Sequence, residues 1–139
     1  MGVAQGEAVI AVLCLELRVR TLSTPNLREH WAVRHRRSSA QRRAVLFGLR
    51  PLGVPELPVE VMLTRIGPKL LDGDNLQGAL KAVRDAVAEW LKVDDADTRV
   101  GWTYGQETTN GTAKLRVFTK SGHMKCVADM RVRIEIRHP

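Results

Sequence analysis

Asp72 and Asp74 stand one residue apart, Asn75 follows, and a second acidic pair, Asp94 and Asp95, closes the segment LLDGDNLQGALKAVRDAVAEWLKVDD from Leu70 to Asp95. Carboxylate oxygens grouped in this way suit magnesium or manganese, hard cations that keep several waters and bind substrate phosphates directly. Gly73 allows an unusual backbone angle between the first two acids. Asp95 would supply a third ligand if the chain after the helix folds back toward its start. Lys81 lies between the clusters. In a chain of net charge +7, gathered carboxylates beside a lysine point to phosphate chemistry.

A plainer reading stands next to this one. An aspartate at a helix start caps backbone N–H groups and is favoured by the helix dipole. Asp94, Asp95 and Asp97 fit a turn between a helix and a strand, and Lys81 has the spacing to pair with Asp85 on the helix surface. Spacing excludes a calcium loop: counted from Asp72, the fifth position is Leu76, the sixth is Gln77 in place of glycine and the twelfth is Val83 in place of glutamate. No P-loop, GxSxG, HExxH or Cys/His nucleophile arrangement is present, and His30, His35, His123 and His138 lack spacing for a shared metal.

The elements that must position these residues follow from periodicity. Leu13, Leu15, Leu17 and Val19 alternate with Cys14, Glu16 and Arg18, the pattern of a half-buried strand within Val9 to Val19, in which Cys14 is read as a small buried hydrophobe. Ser23, Thr24 and Pro25 form a helix start, so a basic helix begins near Asn26. It carries Arg28, Arg34, Arg36, Arg37, Arg42 and Arg43, with Val33, Ala40, Ala44 and Phe47 as its packing stripe. Pro51, Gly53, Pro55 and Pro58 mark a connecting loop. Val59, Val61 and Leu63 form a second strand, ended by Gly67 and Pro68. Leu76, Leu80, Val83, Val87, Trp90 and Leu91 make one continuous apolar stripe of a second helix, while Asp74, Gly78, Lys81 and Asp85 fall roughly opposite at about 100° per residue. Val100, Trp102 and Tyr104 define a third strand. The Asn110-Gly111 dipeptide predicts a hairpin that returns through Leu115 to Phe118, Ser121-Gly122 another turn, and Val132, Ile134 and Ile136 a last strand with one charged face.

At 139 residues the chain is read as one domain, 1–139, large enough for a core that its 4% aromatic content makes mainly aliphatic. So few aromatics argue against a broad stacking platform for single-stranded bases. The excess of Lys and Arg favours a polyanion, nucleic acid first. Cys14 and Cys126 form no metal pattern and require no oxidising compartment. The apolar run from Ala8 to Leu17 is interrupted by Glu16 and is shorter than the roughly 20 residues that span a bilayer. The expectation is a cytoplasmic protein without a membrane partner.

The DGDN motif, the helix after it and the Asp94-Asp95 pair resemble the core of the RusA-type Holliday junction resolvases, a family common among phages and prophages. The order also matches: a leading strand, an Asn-containing segment before a basic helix, a proline-rich loop and a strand running into the motif. The resemblance covers about Leu13 to Gln106. It implies an α+β homodimer, with a mixed sheet of about four to five strands packed with two main helices. The implied activity is hydrolysis of phosphodiesters in four-way or related branched DNA, in recombination and repair, with magnesium or, as a substitute, manganese. The family's catalytic and metal-binding aspartates map onto Asp72, Asp74 and Asp95. Its lysine four residues after the second aspartate falls on Gly78, and Lys81, on nearly the same face, is the candidate replacement. Arg28, Arg34, Arg36, Arg37, Arg42 and Arg43 would contact the DNA backbone. The missing lysine leaves an alternative, a catalytically impaired DNA-binding dimer of the same fold.

Overall fold

Alternation of apolar and polar residues gives the strands of the main sheet an inward and an outward face, and the helices cover the inward one. The computed structural model describes residues 12–22, 30–94, 96–109, 114–118, 121–128 and 130–139, with backbone only for 114–118 and 124–128. In chain order the elements are β1 (Leu13–Leu17), α1 (Trp31–Leu49), β2 (Val59–Gly67), α2 (Gly73–Ala79), α3 (Lys81–Leu91), β3 (Val100–Thr108), β4 (Lys114–Phe118), β5 (Met124–Ala128) and β6 (Arg131–Arg137). The fold is α+β. A four-stranded mixed sheet has the order β1-β6-β2-β3, and β4 and β5 form a separate antiparallel pair.

The last strand is central. β6 pairs antiparallel with both β1 and β2, whereas β2 and β3 are parallel and joined by the α2–α3 crossover. Register places Leu15 and Leu63 beside Ile134, and Val61 beside both Ile136 and Trp102, all on the helix side. Val61, Leu63, Val132, Ile134 and Ile136 are fully buried against Val83 and Val87 of α3 and Val45 and Leu49 of α1. Each such aliphatic side chain contributes about 1.5–3 kcal/mol by leaving water. The core is aliphatic, as composition requires.

Four expectations change. Cys14 lies on the outward face of β1 and is exposed rather than buried. α1 starts at Trp31, with His30 as its cap: the His30 Nδ1 accepts the Ala32 N–H at 3.1 Å. Ser23 to Glu29, including the expected cap and Arg28, lie outside the described residues. The buried stripe of α1 is Gln41, Val45 and Leu49, while Val33, Ala40 and Phe47 are exposed. The expected stripe chose the outer side because Gln41 reads as polar, yet its amide donates to the Arg20 carbonyl and is thereby satisfied inside. Finally, β4 pairs with β5 and not with β3, and Gly122 turns between them with φ +85, a conformation glycine adopts without strain. The Asn110-Gly111 turn is outside the described residues.

The second helix is divided. Leu80, at φ −100 and ψ 3, interrupts it between α2 and α3, although the apolar stripe runs on through the break. Leu76, Leu80, Val83, Val87 and Leu91 are all buried, and Asp74, Gly78, Lys81 and Asp85 take the opposite, open side as their spacing predicts.

Candidate functional site

The acidic motif sits where β2 ends. Pro68 to Asp72 connect β2 to α2, and two side chains from neighbouring strands hold that connection. Arg65, on the inward face of β2, donates from Nη1 to the Lys69 carbonyl at 2.7 Å and from Nε to the Thr21 carbonyl at 3.0 Å. Gln106 of β3 binds Leu71 twice, accepting its N–H at 2.9 Å and donating to its carbonyl at 2.7 Å. Arg65 is only 3% exposed, and burial pushes its guanidinium pKa down from the usual value. A buried arginine is tolerated here because carbonyl oxygens receive its N–H groups. Gly67 lets it fit, since a Cβ there would come within 3.0 Å of Arg65 Nη1.

On this braced connection, Asp72 takes the N-cap position of α2 with extended backbone, but its carboxylate makes no capping hydrogen bond. Asp74 lies in the first turn, and both acids are exposed. The capping explanation thus fails for Asp72: its carboxylate remains open to solvent and to a cation.

The second acidic cluster behaves differently. Asp94 Oδ1 accepts the Ala96 N–H at 3.1 Å, and Asp97 Oδ1 accepts the Arg99 N–H at 2.9 Å, two aspartate turns in succession. Arg99 also pairs with Asp97 at 2.7 Å, and its side-chain and backbone hydrogen bonds hold the Asp97 carboxyl at about 2. These turns lead directly into Val100 at the start of β3. Because β2 and β3 are parallel, Asp94 lies at the opposite end of the crossover from Asp72. Val100 and Gln106, which mark the two ends, are separated by roughly 20 Å of extended strand. Asp95 is outside the described residues, and among the described residues no three His, Cys, Asp or Glu side chains gather as a metal site.

Lys81 opens α3 and pairs with Asp85 at 3.1 Å, so it extends along α3 away from Asp74. At Gly78 a Cβ would meet nothing within 4 Å. The arginines of α1 divide between faces. Arg34 and Arg42 turn toward α3, where Arg42 Nη2 meets Glu89 at 2.6 Å. Arg36 and Arg43 share the outer stripe with Val33, Ala40 and Phe47, all exposed, and Arg37 is half-buried. Sequence reasoning missed Arg65, Gln106, Arg84 and Tyr104. Arg84 lies over the Trp102 ring, 4.7 Å from its centroid, and donates from Nη1 to the Tyr104 hydroxyl at 2.8 Å. For Arg65 and Gln106 a signal existed: alternation through Val61 and Leu63, and through Trp102 and Tyr104, puts both on the buried side. No family model and no curated protein matches this sequence.

Proposed function

We propose that this chain is a magnesium-dependent, structure-selective endodeoxyribonuclease acting on Holliday junctions or related branched DNA. The observation that carries the reading is the pair of exposed carboxylates, Asp72 and Asp74, on a connection braced by Arg65 and Gln106, with no capping bond made by Asp72. Two oxygen donors of this kind fit magnesium, with manganese as a substitute. Asp72 and Asp74 would hold that cation, which when bound would supply activation of water and neutralisation of charge on the phosphate. The basic α1 residues Arg34, Arg36, Arg42 and Arg43 supply backbone contacts that position DNA without reading its sequence.

The separation of Asp72 from Asp94 bears on the third ligand. We infer that a site using Asp95 would be completed across a homodimer, in which the second copy would bring its own Asp95 to Asp72 and Asp74. Closed two-fold symmetry then gives two equal sites, as paired cleavage of a junction requires. The test is junction cleavage by mixed subunits. Asp74→Asn and Asp95→Asn are each inactive alone, and mixing them restores about one site per mixed dimer. Absence of magnesium-dependent cleavage by the unaltered protein would sink the nuclease reading, and failure of complementation would sink the shared site.

The pairing of Lys81 with Asp85 favours one second reading, a DNA-binding dimer of the same fold with impaired chemistry. It expects tight junction binding without cutting in any divalent metal.

A further inference from the structure

Two hollows adjoin at the α2–α3 junction and share Gly78, Lys81 and Asp85. One, of about 280 Å³, opens toward α1, where Arg34, His35 and Ser38 line it. The other, of about 300 Å³, opens toward β3 and contains Arg84 and Tyr104. We propose that together they form a groove for the phosphodiester backbone of a nucleic acid, with one phosphate on the α1 side, the next beside Arg84 and Tyr104, and Lys81 between them. This rests on the nucleic-acid part of the reading above and not on the metal site.

Charge comes first. Arg34, Arg42, Arg84 and Lys81 line the hollows, where Asp85 is the acid among the lining residues; Lys81 meets that carboxylate at 3.1 Å, and Arg42 meets Glu89 of α3 at 2.6 Å. Lys81 is 71% exposed, so exchanging Asp85 for a phosphate demands little desolvation. Preorganisation adds to this. Stacking on Trp102 and the bond to Tyr104 fix the Arg84 guanidinium before any ligand arrives. The Tyr104 oxygen accepts in that bond, so its own proton is left to donate, and among the described residues nothing receives it. A phosphate oxygen is an acceptor only, which matches that proton. Gly78, with no neighbour within 4 Å of a Cβ position, leaves the rib between the hollows low enough for a chain to cross. Repeated anions along a polymer fit two adjoining basic hollows better than a single small anion does.

The experiment is fluorescence anisotropy of a labelled four-way junction and a labelled single strand, in EDTA so that nothing is cut. Tyr104→Phe, Ser38→Glu and Lys81→Gln are compared with the unaltered protein after their melting temperatures are checked. Tyr104→Phe should weaken binding about three- to tenfold, the scale of one lost hydrogen bond to an anion. Ser38→Glu should weaken it at least about tenfold through charge repulsion. Lys81→Gln, at an exposed position, should reduce the slope of log affinity against log salt by about 1. Unchanged affinity and slope in folded variants overturns the groove. So does displacement of the junction by dTMP or by polyglutamate at concentrations matching an unlabelled oligonucleotide, since the ligand is then a lone phosphate or an acidic peptide. Normal binding by the variants with magnesium-dependent cleavage intact removes the groove and keeps the nuclease. Weakened binding by the variants with no cleavage by the unaltered protein does the reverse.

Discussion

Gly78 is the residue at which chemistry and structure can be tested together. It lies in α2 with open space where a Cβ would stand, so Gly78→Lys meets no steric barrier. Replacing a helical glycine with lysine should add about 0.5–0.8 kcal/mol of stability, which for a domain of this size raises the melting temperature by about 2–4 °C. If Asp72 and Asp74 hold a catalytic cation, the new ammonium one turn from Asp74 should also raise the cleavage rate at least about tenfold, the scale of an added electrostatic stabiliser. A higher melting temperature with no change in cleavage would separate helix propensity from catalysis. Asp97 permits a pH test. Its folded pKa, about 2, lies below its ordinary 3.8, so its pair with Arg99 stabilises the protein fully above that ordinary value. That contribution disappears as pH falls through about 2. Asp97→Asn keeps an oxygen for the Arg99 N–H but removes the charge. Urea midpoints measured between pH 5 and 2 should therefore fall less steeply in the variant.

Among the elements, the β2-to-α2 connection depends most on side chains. Arg65→Met keeps length and apolar bulk but removes the donors to the Lys69 and Thr21 carbonyls. A loss of about 2 kcal/mol is expected for carbonyls left without partners, together with faster hydrogen exchange at Leu71, next to Asp72. An unchanged exchange rate would show that Gln106 alone braces the acidic motif. The same elements show what was legible in the sequence. Strands with clean alternation, β2, β3 and β6, stood where periodicity put them, because a sheet with one covered face enforces that period. The α2–α3 stripe was equally plain, yet the break at Leu80 left no mark, since the apolar spacing continues through it. α1 misled because its buried side contains Gln41 and its open side contains Val33 and Phe47. Partner choice for β4 depended on contacts distant in sequence, which local turn signals do not encode. At the site, spacing separated the acids from the core, whereas the distance between Asp72 and Asp94 follows from the parallel pairing of β2 with β3.

Across the whole molecule, positive charge is not spread evenly in its effect. On the outward face of the sheet, Arg131 and Arg133 meet Glu16, Arg133 also meets Glu107 at 2.6 Å, and Arg137 meets Glu60 at 3.1 Å. Hydrogen bonds from Arg133 hold the Glu107 carboxyl below its usual range. That face is a mutually neutralised ladder across β1, β6, β2 and β3, and offers little net attraction to DNA. On the proposed reading the attraction would come from the helix side, with Arg34, Arg36, Arg42, Arg43, Lys81 and Arg84, of which Arg42 and Lys81 would exchange Glu89 and Asp85 for phosphate. About five phosphate contacts there give a log–log salt slope near −4.5, so affinity should fall several-hundred-fold between roughly 50 and 200 mM salt. Folding should respond far less, because the core is aliphatic and each exposed ion pair is worth only about 0–1 kcal/mol. Urea midpoints and junction affinities taken in the same salt series should therefore diverge. Arg137→Gln should leave the affinity slope unchanged and Arg34→Gln should reduce it by about 0.9. Equal reductions in both variants would place the DNA on the sheet as well as the helices, and would require the Arg137–Glu60 pair to open on binding.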